Sequence, residues 1–157
     1  MTPASGVSPA FDDLDLVILS ELRIEGRLSW RELGERIGLS STATADRVRR
    51  LEAAGVIVGY GAEVDLSKLG IGLRAITEIR LDRKADPDVF ENLLAQASEV
   101  QSAMHVTGSH DYVLMLACSD VATLDGLLMK WREEGGVEES STRIILRAID
   151  LTADIPR

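Results

Sequence analysis

Cysteine is almost absent from this sequence, and no long apolar run occurs in it. The single Cys118 rules out an intramolecular disulfide framework and a cysteine-rich zinc site. A reducing cytoplasm is the simplest compartment for such a chain. No apolar stretch approaches the roughly 18 residues of a transmembrane helix, so we expect no membrane partner. The first segment, MTPASGVSPAFDD, lacks the basic region and apolar core of a signal peptide, and we expect a flexible tail over residues 1–11.

Histidine is also scarce, since His105 and His110 are the only two. With no cysteine pair nearby, His110 is better explained as a surface or interface imidazole than as a metal ligand or a base. Cys118 lies in a predicted strand and is most simply a small core residue. We therefore expect no catalytic residues, no metal site and no cofactor.

The net charge of −9 counts at first sight against nucleic-acid binding. Residues 1–65 carry seven arginines and no lysine against eleven acidic residues, yet Arg47, Arg49 and Arg50 fall within one helical turn. DNA binding needs only a local basic face, whereas whole-chain charge governs solubility and steering. The alternative is a solvated charged face, and charge alone leaves both interpretations open.

The most informative segment is SWRELGERIGLSSTATADRVRRLE, residues 29–52. It predicts two short amphipathic helices separated by Ile-Gly-Leu-Ser. Ser29 followed by Glu32 is a capping box that begins the first of them, and Gly38 suits the left-handed turn after it. Ser40 or Ser41 then caps the second. The pattern indicates a helix-turn-helix, which places its second helix in the major groove of DNA.

Two further elements flank this motif. A preceding helix is predicted from Asp13 to Arg23, with acidic residues at its N-terminus, where the helix dipole favours anions. After the motif, Val56–Tyr60 predicts a short strand that serves as a wing or as a bridge to the next domain.

The second half of the chain changes periodicity. Leu73–Leu81 predicts a strand, and Asp86-Pro87 begins a helix. Two strands, a helix from about Val121 and a final strand centred on Ile144–Leu146 complete the order β-α-β-β-α-β, a ferredoxin-like arrangement. Its helices cover one face of the sheet. The open face is expected to support dimerisation through apolar residues; examples are Ile76, Val113 and Met115.

Four segments match one known family in order: LDLVILSEL, GRLSWRELGERIGLS, RVRRLEAAGVIVGY and VTGSHDYVLML. From Asp12 to Leu151 the chain resembles the Lrp/AsnC, or feast/famine, transcription regulators. The resemblance implies an α+β protein with an N-terminal winged helix-turn-helix domain followed by a ferredoxin-like βαββαβ domain, the RAM domain. The implied bounds are 12–59 for the first, 60–72 for a linker strand and turn, and 73–157 for the effector-binding and oligomerisation domain.

The resemblance also implies a function. It predicts a sequence-specific regulator that binds double-stranded DNA and whose assembly or DNA affinity responds to a small molecule, an amino acid in many members. Family members form homodimers and often octamers. There are two alternatives: an architectural DNA-binding protein without an effector, and an enzyme, because siroheme decarboxylases share this architecture. The intact recognition helix and the two histidines count against the enzyme.

The DNA contacts are expected in the helix that begins near residue 41, whose first residues meet base edges in such a fold. Its early hydroxyls can donate to phosphate, its small residues allow close approach, and its arginines reach bases or phosphates. The alternatives are helix capping and surface ion pairs, for example Arg49 with Glu52. Asp46 would repel phosphate or accept from a cytosine amino group. The expected DNA-binding residues are Ser40, Ser41, Thr42, Thr44, Ala45, Arg47, Arg49 and Arg50.

The segment VTGSHDY, residues 106–112, resembles the effector loop of the family. Gly108 lets backbone amides approach a carboxylate closely, Asp111 could hold an α-ammonium group, and Tyr112 could form a pocket wall. The alternative is a plain hairpin turn that Asp111 caps. Residues of the last strand are also expected to contribute. The expected effector-binding residues are Thr107, Gly108, Ser109, His110, Asp111, Tyr112, Ser140 and Thr142.

Overall fold

The computed structural model describes residues 11–149, which form two units, a helical domain up to Glu63 and a second domain over Val64–Ile149. In the helical domain, α1 spans Asp13–Ile24, α2 spans Trp30–Ile37 and α3 spans Ser41–Ala53. The pair α2–α3 is the predicted helix-turn-helix. Residues 1–10 of the expected tail, and residues 150–157, lie outside the described part of the chain.

Each helix of this domain begins at a side chain that accepts from its first turn. The Asp12 carboxylate accepts from the Asp15 amide at 2.9 Å, and the Asp15 carboxylate accepts in return from the Asp12 amide at 3.2 Å. Ser29 and Glu32 form the same reciprocal pair, which confirms the predicted capping box. Ser40, not Ser41, caps α3. These caps satisfy amides that an isolated helix end leaves without partners.

Two glycines allow α2 and α3 to meet. Gly38 has φ +74°, the left-handed conformation that glycine adopts without steric cost, and it ends α2. A Cβ added at Gly34 would lie 2.6 Å from the Leu39 carbonyl oxygen and 2.9 Å from Thr44 Oγ1. The close approach therefore requires a residue without a side chain at position 34. The core of this domain consists of buried apolar side chains, namely Ile18, Leu28, Leu33, Val48 and Leu51.

A buried carboxylate joins α1 to α3. Asp15 has no exposed surface, and its two oxygens accept from Arg47 Nη1 at 2.8 Å and from Arg50 Nη2 at 2.6 Å. Arg47 also donates to the Asp12 carboxylate at 2.8 Å. This contact holds the pKa of Asp12 below its ordinary 3.8, and the Asp12 hydrogen bond raises the pKa of Arg47. The contribution of Asp12 to stability is thus present above pH 3.8 and is lost as the pH falls through the lowered pKa.

The strand predicted over Val56–Tyr60 is absent, so the described part of the helical domain has no β wing. A strand needs a neighbouring strand for its backbone hydrogen bonds, and among residues 11–149 none lies beside this segment. Val58 is 95% exposed and Tyr60 is 52% exposed. The Tyr60 hydroxyl donates to Glu52 at 2.9 Å, which holds the segment against the end of α3.

The second domain has the predicted order of elements. A short 3₁₀ helix over Leu66–Leu69 precedes β1, which spans Leu73–Leu81 as predicted. The remaining elements are α4 (Pro87–Gln96), β2 (Val100–His105), β3 (Tyr112–Cys118), α5 (Val121–Glu134) and β4 (Val137–Ile144). The sheet order is β2-β3-β1-β4 with every neighbouring pair antiparallel, which is the ferredoxin-like topology.

The two sides of the sheet differ as strand alternation requires. On one side, Ala75, Thr77 and Ile79 of β1 are buried beneath α4 and α5. On the other, Ile76 lies opposite Met115, and Val113 lies opposite Met104. These four side chains keep solvent exposure in the single chain. The helix-side core contains Phe90, Leu94, Leu114, Leu116, Leu124 and Trp131.

The centre of the last strand differs from the prediction. β4 ends at Ile144, and Leu146 beyond it is 96% exposed. The polar residues Ser140–Thr142 occupy the middle instead, because β4 pairs with β1 in a register that sets Ser141 opposite Glu78. Edge strands tolerate polar sequences, so the apolar run was a misleading signal for the centre of this one.

Replacing Gly34 by alanine is expected to destabilise the helical domain by about 1–3 kcal/mol, the usual cost of overpacking a filled core. The reason is the Leu39 carbonyl, a backbone atom that cannot rotate away from the added Cβ. The matched control is Gly126→Ala in α5, where the new Cβ meets nothing within 4 Å. That variant should be neutral or more stable by up to about 1 kcal/mol. Urea unfolding followed by circular dichroism measures both, and equal effects would contradict the prediction.

Replacing Asp15 by asparagine is expected to destabilise the helical domain by about 1–3 kcal/mol, because two charge-assisted hydrogen bonds are weakened in a buried position. The cost stays moderate because the Arg47 and Arg50 side chains are 27% and 53% exposed and can still reach water. Asp46→Asn is the control, because the side chains of Asp46 and its partner Arg49 are both about two thirds exposed. An exposed pair contributes about 0–1 kcal/mol. A loss for Asp15→Asn no larger than that of the control would count against the assignment.

Candidate nucleic-acid interface and effector loop

The buried side of α3 removes two residues from the expected DNA interface. Thr44 has no exposed surface and Ala45 is 5% exposed, both beside Val48 and Leu51 in the core. Thr44 Oγ1 donates to the Ser40 carbonyl oxygen at 2.9 Å. The expectation that these two side chains approach DNA is therefore wrong. Their small size serves the packing of α2 on α3.

Arg47 and Arg50 lie on the flank of α3 that faces the N-terminus of α1. Asp12 and Asp15 occupy both guanidinium groups there. Arg47 uses Nη1 for these bonds, so a base contact through its other donors would start from a guanidinium group anchored to a fully buried carboxylate. The structure therefore gives Arg47 and Arg50 the ion-pair role that was the alternative to DNA contact, with a buried partner in α1 in place of a surface one. Their partners lie 32–35 positions earlier in the sequence.

The outer face of α3 carries Thr42, Asp46 and Arg49. These positions are separated by four and three residues, so they share one side of the helix, and all three are exposed. Arg49 Nη1 lies 3.0 Å from Asp46 Oδ1. The expected alternative, a pair with Glu52, does not form. We call Thr42, Asp46 and Arg49 the outer face below.

The hydroxyl groups at the start of α3 divide between capping and exposure. Ser40 Oγ accepts from the Ala43 amide at 3.2 Å, so this hydroxyl has the capping role that was the alternative to a DNA contact. Ser41 is exposed in the first turn. With Thr42 it places two hydroxyls at the positive end of the α3 dipole, a position that favours anions such as phosphate.

The loop between β2 and β3, residues 106–111, is tied to the end of β1 by Asp111. The Val106 amide donates to the Asp111 carbonyl at 2.9 Å, and the Asp111 amide donates to the Ile79 carbonyl at 2.8 Å. Asp111 Oδ2 accepts from the Leu81 amide at 2.8 Å. Gly108 has φ +124°, which favours glycine there. Thr107, Gly108 and Ser109 form the exposed tip of the loop.

His110 is the unusual member of this loop. Its Nδ1 lies 3.2 Å from Ser109 Oγ, and its Nε2 is covered by protein atoms without a hydrogen-bond partner among residues 11–149. A covered polar atom without a partner costs about 1–3 kcal/mol. The loop conformation of the single chain is therefore one that an added hydrogen-bond partner would stabilise.

Tyr112 lies on the helix side of the sheet and is 4% exposed. Its hydroxyl donates to Glu91 at 2.8 Å, and burial together with that bond raises the pKa of Tyr112 to about 12. The ring stacks on His105 with centroids 4.9 Å apart. Tyr112 does form one wall of a cleft of about 440 Å³. That cleft lies between α4 and β2.

The two candidates from β4 also have local partners. Ser140 Oγ accepts from Arg132 of α5 at 3.0 Å, and Thr142 Oγ1 lies 2.9 Å from Thr77 Oγ1. The strand register sets Ser140 opposite Ile79, whose other neighbour is Tyr112. The structure thus brings Ser140 to the same end of the sheet as the effector loop, two strands away.

The described residues contain no group of three or more histidine, cysteine, aspartate and glutamate side chains that could hold a metal ion. Within residues 11–149, no helix is long and apolar enough to cross a membrane.

Two residues that organise the helix-turn-helix were missed in the sequence. Asp15 is three positions before Ile18, so helical spacing places it on the same side as the core residue. Gly34 lies within α2, directly after Leu33. Glycine lowers the stability of a helix interior, so a glycine at such a position indicates close packing against a neighbouring element. Both signals are visible without the structure.

Comparison with known proteins identifies both domains. The AsnC-type helix-turn-helix domain matches residues 11–52, and the Lrp/AsnC ligand binding domain matches residues 74–155. The chain is 35% identical over 139 residues to the HTH-type transcriptional regulator LrpA of Mycobacterium tuberculosis, covering 88% of this chain and 93% of that protein. It is 37% identical over 142 residues to the leucine-responsive regulatory protein of Escherichia coli, covering 88% and 86%.

A solved structure shows the same architecture. The transcriptional regulator from Neisseria meningitidis in complex with L-methionine superposes with a TM-score of 0.87 at 28% identity, covering 94% of this chain and 97% of that one. The helix-turn-helix, the four-stranded antiparallel sheet and the two matching family models agree, and the chain belongs to the Lrp/AsnC family of DNA-binding transcriptional regulators.

Proposed function

We propose that this regulator contacts DNA through the outer face and the N-terminal hydroxyls of α3, and that an amino acid bound at the β2–β3 loop modulates its assembly or DNA affinity. The observation that carries the first part is the division of the three arginines of α3. Two are held by the buried Asp15, and the third is exposed.

Arg49 is the arginine of α3 best able to exchange its partner. Its side chain is 67% exposed, and that of Asp46 is 66% exposed. Exposed ion pairs contribute about 0–1 kcal/mol, so a base edge or a phosphate can replace Asp46 at little cost. Asp46 then either turns away or accepts from a cytosine amino group. Ser41 and Thr42 add hydroxyl contacts to the backbone.

The proposed effector is an L-amino acid with an apolar side chain. The Neisseria relative was solved with L-methionine, and the Escherichia coli relative is named for its response to leucine. In this chain the exposed Gly108 allows a carboxylate to approach backbone amides. Asp111 uses Oδ2 for the Leu81 amide, and its other carboxylate oxygen can accept from an ammonium group. A ligand or a neighbouring subunit would also give His110 Nε2 the partner it lacks among the described residues.

We further propose a homodimer formed through the open face of the sheet. Ile76, Met104, Val113 and Met115 are direct neighbours across three strands and form one apolar patch. The β1–β4 side of the same face carries ion pairs instead, such as Arg143 with Glu78 at 3.1 Å. Burying such a patch against a second copy removes apolar area from water. We propose that the dimer acts in the cytoplasm, on double-stranded DNA.

A second candidate function is an architectural DNA-binding protein without an effector. One observation favours it: Asp111 and Tyr112 already have protein partners, Leu81 and Glu91. In that case the loop serves as a hairpin turn, and the response to amino acids is absent.

Arg49→Ala is expected to weaken binding to a selected duplex by about 1–3 kcal/mol, the usual value of a side chain that contacts a base edge. Asp46→Ala is the matched variant, because it breaks the same ion pair from the other side. It should leave affinity for random duplex unchanged or raise it, since a charge that repels phosphate is removed. Fluorescence anisotropy on both duplexes measures this. Equal losses for both variants would show that the pair acts only through helix stability.

L-methionine or L-leucine is expected to raise the unfolding temperature, because a ligand at 100 times its dissociation constant adds about 2.7 kcal/mol of stability. Asp111→Asn should remove this shift while keeping the unfolding temperature without ligand, since the amide oxygen still accepts from Leu81. Tyr112→Phe loses the bond to Glu91 but should keep the shift. D-methionine is the ligand control. If neither L-amino acid raises the unfolding temperature of the wild-type protein, the result favours the architectural function.

A further inference from the structure

Most of the arginines of the helical domain are engaged within the protein. Arg36 is held by Glu21 and Glu25 of α1 at 2.9 and 2.7 Å. Arg23 also takes part in an interaction. Arg47 and Arg50 pair with Asp15, and Arg49 pairs with Asp46. Arg27, in the connection before α2, and Arg31, within α2, have no such partner among the described residues.

The geometry of α2 shows which way Arg31 faces. Leu33 is buried at the centre of the inner side of the helix. Gly34 lies on the flank that touches Thr44 of α3, while Arg36 lies on the flank that pairs with α1. Residues three positions apart share a side of a helix, so Arg31 is on the Gly34 flank. The two arginines of α2 therefore face opposite ways, Arg36 towards α1 and Arg31 towards the recognition helix.

The acidic neighbours of Arg31 do not neutralise it. Glu32 is committed to the capping box, since its carboxylate accepts from the Ser29 hydroxyl at 2.6 Å and from the Ser29 amide at 2.9 Å. The same bonds lower the pKa of Glu32. Glu35, one turn along α2, forms no ion pair with Arg31 within 4.0 Å in the described structure. Arg31 thus has no ion pair in the described structure, and it lies in the first turn of α2, where the helix dipole is also positive.

We propose that Arg31 makes a direct contact to a DNA phosphate and is a second anchor of the motif beside α3. In a helix-turn-helix complex the first helix crosses the DNA backbone while the second lies in the major groove. The Gly34 flank of α2 is the side continuous with α3, so Arg31 meets the backbone when α3 enters the groove. This contact carries no sequence information and strengthens binding to every duplex alike. The proposal rests on the DNA interface proposed above for α3.

The test compares Arg31→Gln with Arg36→Gln, two equal charge changes on opposite flanks of one helix. Binding of the full chain to a 40-base-pair random duplex is measured by anisotropy at increasing KCl concentration. Each lost phosphate contact reduces the slope of log affinity against log salt by about 0.9. Arg31→Gln should therefore reduce it by about 0.9 per bound motif, or about 1.8 for a dimer that engages both. Arg36→Gln should leave the slope at the wild-type value.

Two further measurements complete the test. Arg31→Gln should weaken binding to the random duplex and to a selected duplex by the same factor. It should change the unfolding temperature little, because Arg31 forms no hydrogen bond or ion pair in the described chain and exposed charges contribute little to stability. An unchanged slope for Arg31→Gln would overturn the assignment. Equal reductions of the slope for both variants would also overturn it, because they would show a long-range effect of charge and not a contact by Arg31. A wild-type protein that fails to bind either duplex would overturn the proposed α3 interface as well.

Discussion

The helical domain depends on one carboxylate that has been taken out of water. Burial of Asp15 would be strongly unfavourable for an isolated charge, and it is compensated by two guanidinium groups from α3 and by the Asp12 amide. Because the partners lie on different helices, satisfying the charge also fixes how α3 sits against α1. The same contact fixes the positions of the Arg47 and Arg50 guanidinium groups, although their side chains remain 27% and 53% exposed.

In the second domain, β1 is the element on which the other parts depend, as Asp15 is in the helical domain. It is bonded on both edges, to β3 and to β4, and the Asp111 carboxylate reaches the amide of its last residue. The effector loop is therefore attached to the central strand pair of the sheet. Helices cover one side of that strand, while the other side continues the apolar patch around Ile76. A ligand at the loop and a second subunit on the open face would both act on the same strand.

Local signals in the sequence were sufficient for much of this architecture. The capping residues Ser29 and Asp86 mark helix starts, and β1 has the predicted bounds, because capping and strand alternation depend on neighbours in the chain. The pairing of Arg47 and Arg50 with Asp15 could not be predicted in this way, since it joins positions 32–35 residues apart. The same limit explains the apolar segment after α3, where propensity favours a strand but the described chain supplies no neighbouring strand. For the candidate site, the position of the loop was predictable, whereas the partners of Asp111 and Tyr112 were not.

The exposed pair of Asp46 and Arg49 has a consequence for how the protein searches a genome. If the outer face meets DNA as proposed, every phosphate that approaches it competes with the Asp46 carboxylate, and the chain as a whole carries a charge of −9. Residence on unrelated DNA would then be brief, because the electrostatic attraction that holds most binders to any duplex would be weak. Discrimination between the operator and the rest of the genome depends on the ratio of the two affinities. The proposed interface would raise that ratio where the operator offers Asp46 a cytosine amino group, since only the other sites would then keep the repulsion.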